Sequence, residues 1–165
     1  MKMSDVDRDA FRTIAAECPG FQARATARAI TRYHNACFRP LGLTAEQFSL
    51  MVGIGAAEGV PLVELALSAG VDTTTLSRNI QNLEKRGWVC AEGGRGRAGK
   101  RLSLTALGHH LLAEAIPVWR QAQAELSRRL GNDELQLVRR AMVELAVAAE
   151  PSGPNAPEDA EQPLP

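Results

Sequence analysis

Polar and basic side chains are spaced along residues 73–85 so that they share one face of a single helix. At about 100° per residue, Leu76, Ile80 and Leu83 fall on the other face, which would pack inward. The polar face holds no acid and consists of Thr74, Arg78, Gln81 and Lys85, flanked by Ser77 and Asn82. Guanidinium groups bind guanine edges in the major groove, and hydroxyls at a helix N-terminus bind phosphate. The candidate hydroxyls are those of Thr73, Thr74, Thr75 and Ser77.

A second basic segment follows directly. The glycine-rich loop of residues 93–99 joins two short predicted strands, and no acid lies between Gly93 and Leu104. Its cations are Arg95, Arg97, Lys100 and Arg101. Such a loop suits a phosphate ridge or the minor groove. Alone, the helix face could be an ordinary solvated surface and the loop a solubilising turn, but their succession favours DNA binding.

Charge is segregated along the chain of 165 residues, although the 19 basic and 19 acidic side chains cancel. Between Asp72 and Thr105 basic residues outnumber acidic ones by seven to three, whereas the acidic tail of residues 150–165 has no base. No apolar run approaches the roughly 18–20 residues of a membrane span. The polar N-terminal residues do not resemble a signal peptide, so we expect a cytoplasmic protein.

Capping and helix-breaking residues predict the elements that position these side chains. Thr44 and Gln47 have capping-box spacing, which predicts a helix over residues 45–57. Pro61 suits the first position of a short helix that ends before Gly70. Asp72 is a candidate N-cap for the polar helix, which Gly87 would end. Residues 61–87 thus have the layout of a helix-turn-helix.

The flanking segments are predicted to be helical as well. Residues 21–39 read as a helix that ends before Pro40. Strands are expected at residues 88–91 and 101–104, and then a long helix from Thr105 to about residue 130, bent at Pro117. Asn132 or Asp133 would cap a last helix that runs to about Ala149. We therefore predict a mainly α fold with a small β-hairpin, a partly ordered leader over residues 1–19 and a disordered tail over residues 150–165.

Three stretches, residues 41–48, 71–89 and 102–108, resemble the multiple-antibiotic-resistance regulator (MarR) family of bacterial transcription factors. The resemblance implies a homodimer in which a winged helix-turn-helix, residues 41–105, is flanked by dimerisation helices at residues 20–40 and 106–149. Such proteins usually repress genes by binding pseudo-palindromic operators, and a small ligand or an oxidant often releases them. Thr74, Ser77 and Arg78 match groove-facing positions of the family. The wing departs from the family, because Gly96, Arg97 and Ala98 stand where members usually carry Asp-x-Arg.

The residues leave the regulatory input open. Cys18 and Cys37 could sense an oxidant, although the cysteine position of the peroxide-sensing branch is vacant. Inert thiols are the alternative, also for Cys90, and metal or metalloid sensing is a third, which no CxxC or HxxxH spacing supports. Arg24, Arg28 and Arg32 recur every four residues and could bind an anionic effector, or could be a solvated or inter-subunit face. Tyr33, His34, Phe48 and Met51 could line such a cavity, although core packing explains the last two equally well.

Other function classes find little support in the sequence. It contains no nucleotide-binding loop, no GxSxG motif and no metal-ligand spacing, so we expect neither an enzyme nor a cofactor. The main alternative is a winged-helix protein-interaction module, similar to an antirepressor, that does not bind operator DNA.

Overall fold

A computed structural model describes residues 8–57, 59–93 and 99–150 of the chain. The predicted acidic tail from residue 151 and the tip of the predicted wing, with Arg95 and Arg97, lie outside the described residues. The helices are α1 Arg8–Glu17, α2 Pro19–Phe38, α3 Ala45–Ala56, α4 Leu62–Ala69, α5 Thr73–Lys85, α6 Ala106–Leu130 and α7 Asn132–Ala148. The strands are β1 Val60–Pro61, β2 Val89–Glu92 and β3 Arg101–Leu104. Among the described helices, none is long and apolar enough to cross a membrane.

The chain divides into two compact units, the first ending at Ala122 and the second beginning at Gln123. In the first unit, the polar helix buries the face that the sequence predicted, with Leu76, Ile80 and Leu83 at 0–2% exposure. They belong to one apolar core that also contains Phe38, Met51, Ile54 and Leu102. This core packs α5 against α4 and β2.

The sheet has three antiparallel strands in the order β1-β3-β2, one more than the predicted hairpin. In the hairpin, Val89 lies opposite Leu104 and Glu92 opposite Arg101. The additional strand is only two residues long, and Val60 pairs with Leu102 in the central strand. Pro61 is therefore extended and precedes α4, so its predicted place as the first helical residue is wrong.

Side-chain caps lie at the N-terminal ends of α3 and α5, as predicted. Thr44 Oγ1 accepts from the backbone N–H of Gln47 at 3.2 Å, while Gln47 Oε1 accepts from the N–H of Thr44 at 3.0 Å. Asp72 Oδ1 accepts from the N–H of Thr75 at 2.8 Å. Beyond the far end of α5, Gly87 adopts a φ of 72°, a left-handed conformation that glycine tolerates best. Local chemistry thus sets where the polar helix begins and ends.

The outer helices differ in detail from the sequence prediction. The leader contains a helix, α1. The side-chain amide of Gln22 in α2 donates to the carbonyl of Ala15 in α1 at 3.0 Å. In the second unit, α7 is capped by Gly131, so the prediction of Asn132 or Asp133 as the N-cap is wrong. Gly131 has a φ of 103°, which side-chain-bearing residues rarely adopt, so the chain turns into α7 one residue earlier than expected.

Candidate nucleic-acid interface

The outer face of α5 is open to solvent. Arg78, Gln81, Lys85 and Thr74 are exposed, and Ser77 is half-buried at the edge of the face. Because the apolar residues of the same helix are buried, the helix cannot turn these polar groups inward without exposing its core side. The sequence-predicted base- and phosphate-binding residues of α5 therefore lie together on one accessible surface.

Hydrogen bonds divide the hydroxyls at the start of α5 into two kinds. Thr75 Oγ1 donates to Asp72 Oδ2 at 2.6 Å, which commits that hydroxyl hydrogen to the helix cap. The same bond, together with backbone N–H donation from Thr75, lowers the pKa of Asp72 below its ordinary value of 3.8. Thr73 and Thr74 are exposed, and their hydroxyls are the better placed to donate to a phosphate.

The described part of the wing places its two basic residues at the start of β3. Lys100 and Arg101 are both exposed, while Leu102 beside them is fully buried. Arg101 lies over Gly59, where a Cβ atom would stand 3.3 Å from the guanidinium Nε. The left-handed glycine thus leaves room for Arg101 against the β1 side of the sheet.

Two residues that the sequence analysis did not select hold α5 on one flank. Asn79 Nδ2 donates to Glu46 Oε1 at 2.7 Å. Arg86 Nη1 donates to the carbonyl of Gly42 at 3.3 Å, and its guanidinium lies 4.7 Å from the centre of the Trp88 ring. The signal for Asn79 was its position at the edge of the apolar stripe, where a polar group needs a partner.

Ring contacts connect three of the residues predicted to line an effector cavity, because the ring centres of Tyr33 and His34 lie 5.5 Å apart, and His34 stacks on Phe38, which packs against Phe48. Phe48 and Met51 are core residues, and the hydroxyl of Tyr33 donates to the carbonyl of Ala122 at 3.1 Å. An open cleft of about 470 Å³ lies between α2 and α3 and is lined by Ile30, Thr31, His34, Ala45, Glu46 and Ser49. Burial lowers the pKa of His34 in this cleft. The described lining residues include neither Arg28 nor Arg32, which are exposed elsewhere on α2.

The three cysteines are free thiols, and each is half-buried. Cys18 precedes α2 and Cys37 lies near its end, so at about 1.5 Å per residue the two are roughly 28 Å apart. In the wing, Cys90 Sγ lies 3.0 Å from Ser103 Oγ on the neighbouring strand. Within residues 8–57, 59–93 and 99–150, no group of three histidine, cysteine or acidic residues could hold a metal ion.

A helix, a turn and a second helix with an exposed polar face, followed by a β-hairpin, define a winged helix-turn-helix protein. A family model described as "MarR family" matches residues 41–98. The transcriptional regulator HosA of Escherichia coli O111:H- is 33% identical over 105 residues, which are 61% of this chain and 78% of HosA. The chain belongs to the MarR family of transcriptional regulators.

Solved structures agree with this assignment. The M. tuberculosis transcriptional regulator MosR is 36% identical, with a TM-score of 0.72 over 82% of this chain and 98% of MosR. MosR in complex with DNA gives a TM-score of 0.73 over 81% of this chain and 97% of that one. A mutant MarR from E. coli, complexed with operator DNA, shares the fold at 23% identity, with a TM-score of 0.72 over 81% of this chain and 96% of MarR.

Replacing Asp72 with alanine should lower the melting temperature by a few degrees near pH 7, because α5 loses its cap. Since the pKa of Asp72 is lowered in the folded state, its contribution is complete above the unfolded pKa and is lost as pH falls through the folded pKa. The difference in melting temperature between wild type and Asp72→Ala should therefore shrink from about pH 7 to about pH 2.5. Thermal unfolding followed by circular dichroism measures this difference.

Asp72→Asn is the matched control, because asparagine also caps helices but does not titrate in this range. Its difference from Asp72→Ala should persist at low pH. An equal effect of Asp72→Ala at both pH values would contradict the assigned role of the charged cap.

Proposed function

We propose that this protein is a dimeric repressor that binds a pseudo-palindromic operator in the cytoplasm and places α5 of each subunit in the major groove. The observation that carries the proposal is the exposed, acid-free face of α5 opposite its fully buried stripe. That arrangement presents Arg78 and Gln81 outward on a helix whose other side is anchored. The MosR complex with DNA supports the same use of the fold.

On the outer face of α5, some side chains suit contacts to bases, which give specificity, and others suit contacts to phosphates, which give affinity. Arg78 can donate two parallel hydrogen bonds to a guanine, and Gln81 can pair with an adenine edge. Lys85 and the hydroxyls of Thr73 and Thr74 suit phosphate oxygens. Lys100 and Arg101, with Arg95 and Arg97 outside the described residues, would add phosphate or minor-groove contacts.

Selection of random duplex DNA by the purified protein tests the proposal. At physiological salt with competitor DNA, we expect enrichment of an inverted repeat whose half-sites lie about one helical turn apart. A folded dimer that enriches no sequence would contradict the proposal. It would favour the protein-interaction module, because such a module needs the fold but not the groove contacts.

Arg78→Ala should weaken binding to the selected operator by about 1–3 kcal/mol and relax the preference at one base position. The reason is that a lost bidentate contact to guanine removes base discrimination as well as affinity. Fluorescence anisotropy with the operator and with single-base variants measures both effects. Arg120→Ala, which removes an exposed arginine of α6, is the control and should bind like the wild type.

If Arg78→Ala weakens binding to every duplex equally, Arg78 contacts a phosphate and not a base. In that case the base-reading role of Arg78 is wrong, while DNA binding stands.

The dimer in this proposal is supported by apolar side chains that one chain leaves uncovered. In the second unit no residue of α7 is buried, and Val138, Met142 and Leu145 are 38–44% exposed at helical spacing. Phe11, Ile14 and Phe21 of α1 and α2 are also about half exposed in the first unit. Contiguous apolar faces of this kind mark protein interfaces, and a second copy would cover them symmetrically.

Leu145→Glu should raise the dissociation constant of the dimer by about 100-fold or more, because it places an unpaired charge in the interface twice. Sedimentation velocity at micromolar concentration should then show monomers. Leu67→Glu, which changes a leucine of α4 that is 77% exposed, is the matched control and should remain dimeric. A dimeric Leu145→Glu variant would exclude the α7 face from the interface.

We further propose that the cleft between α2 and α3 is where a small molecule releases the operator. Its lining combines two apolar side chains, two hydroxyls, an imidazole and the carboxylate of Glu46. Burial lowers the pKa of His34 and so disfavours a positive charge on its imidazole, while Glu46 supplies the carboxylate of the cleft. This lining favours an aromatic amine over an aromatic carboxylate. An anionic effector at Arg28 and Arg32, or an oxidant at Cys18 and Cys37 of two different chains, stays an alternative prediction.

Ser49→Trp should fill the cleft and abolish both ligand-induced stabilisation and ligand-induced release from the operator, while DNA binding without ligand persists. The probes are benzylamine and benzoate, measured by thermal shift and anisotropy. Val52→Trp, on an exposed position of the same helix outside the cleft lining, is the control and should respond like wild type. A stronger response to benzoate that survives Ser49→Trp would contradict the cleft and favour the arginines.

A further inference from the structure

Two bonds tie one flank of α5 to residues 42–46, which we name the α2–α3 corner. Asn79 donates to the Glu46 carboxylate at 2.7 Å, and Arg86 donates to the Gly42 carbonyl at 3.3 Å. Asn79 and Arg86 are seven residues apart, two helical turns, and therefore lie on the same side of α5. That side is neither the buried stripe nor the outer face with Arg78.

The α2–α3 corner is itself held firmly. Gly42 has a φ of 64° and its N–H donates to the carbonyl of Arg39 at 3.0 Å. Leu43 is 3% exposed, so the corner is anchored in the core. From α2, Asn35 Oδ1 accepts from the N–H of Ala45 at 2.7 Å. The corner thus links α2 to α5 through a short series of directional contacts.

Directional contacts are what the orientation of α5 needs. Apolar packing prevents α5 from turning its buried side toward solvent, but it is less directional than a hydrogen bond and therefore restrains small rotations about the helix axis less. A side-chain atom about 6 Å from the helix axis moves by about 2 Å when the helix rotates by about 20°. A shift of that size exceeds the tolerance of a hydrogen bond between Arg78 and a base.

We propose that Glu46 is a positioning residue for the recognition helix: by accepting from Asn79, it fixes the rotation of α5 so that Arg78 faces the bases. The inference rests on the proposed function. Asn79 is thereby committed to the protein and not to DNA. The same carboxylate lines the cleft between α2 and α3. A ligand bound there would therefore change the orientation of α5 without contacting that helix.

The test compares the affinity for the selected operator with that for an unrelated duplex. Glu46→Ala should lower this ratio by about tenfold, as expected for a lost hydrogen bond to a charged group. Glu46→Gln keeps the accepting oxygen without the charge and should retain most of the ratio. In an Asn79→Ala background, Glu46→Ala should add little, because its partner is already absent.

Two readouts separate positioning from general destabilisation. The affinity for the unrelated duplex and its salt dependence should stay unchanged in Glu46→Ala, because phosphate contacts are intact. The side-chain amide resonances of Asn79 should shift in Glu46→Ala but much less in Glu46→Gln. If Glu46→Ala does not fold, Asn79→Ser removes the same bond from the other side and should give the same loss.

Each remaining outcome overturns a defined part of the inference. An unchanged ratio in Glu46→Ala, or an equal loss in Glu46→Gln, would contradict the positioning role while the proposed function stands. A wild-type protein that prefers no sequence would overturn the proposed function and the positioning role with it.

Discussion

Burial of Leu76, Ile80 and Leu83 along one side of α5 is the interaction on which the arrangement of this protein depends. Each fully buried side chain contributes about 2 kcal/mol, and the three act on one helix of 13 residues. Because the helix is anchored by that side, its polar side is presented to solvent over its whole length. The core therefore determines which groups are available to a partner, and the caps at Asp72 and Gly87 determine how long that surface is.

The sheet extends the same core toward the wing. Leu102 lies in the central strand between β1 and β2 and is fully buried, while Arg101 beside it is exposed. Successive residues of β3 point to opposite faces of the sheet, so the buried Leu102 and the basic Arg101 lie on different sides. On α5, helical spacing separates the buried and the basic side chains in a similar way. The wing departs from the usual Asp-x-Arg pattern of the MarR family, and Arg101 over Gly59 is the described cation that is best supported by the sheet.

Among the described residues, exposed apolar side chains are most numerous on α7. In the dimer that we propose, a second copy of the chain would cover these side chains. The α2–α3 corner lies next to the helix that would read DNA and also borders a cleft. Glu46 both accepts from Asn79 of α5 and lines this cleft, and in our proposal this one carboxylate links an effector to the orientation of α5.

The sequence by itself determined the helix-turn-helix, the two faces of α5, its cap at Asp72 and the basic hairpin, because these features depend on local spacing and capping. It misplaced Pro61 and the start of α7, where a strand pairing and a left-handed glycine override local preference. Only the tertiary structure decided that β1 joins the sheet and that Asn79 meets Glu46, 33 residues away. Contacts between residues so distant along the chain depend on how elements pack, and no periodicity within one element encodes them.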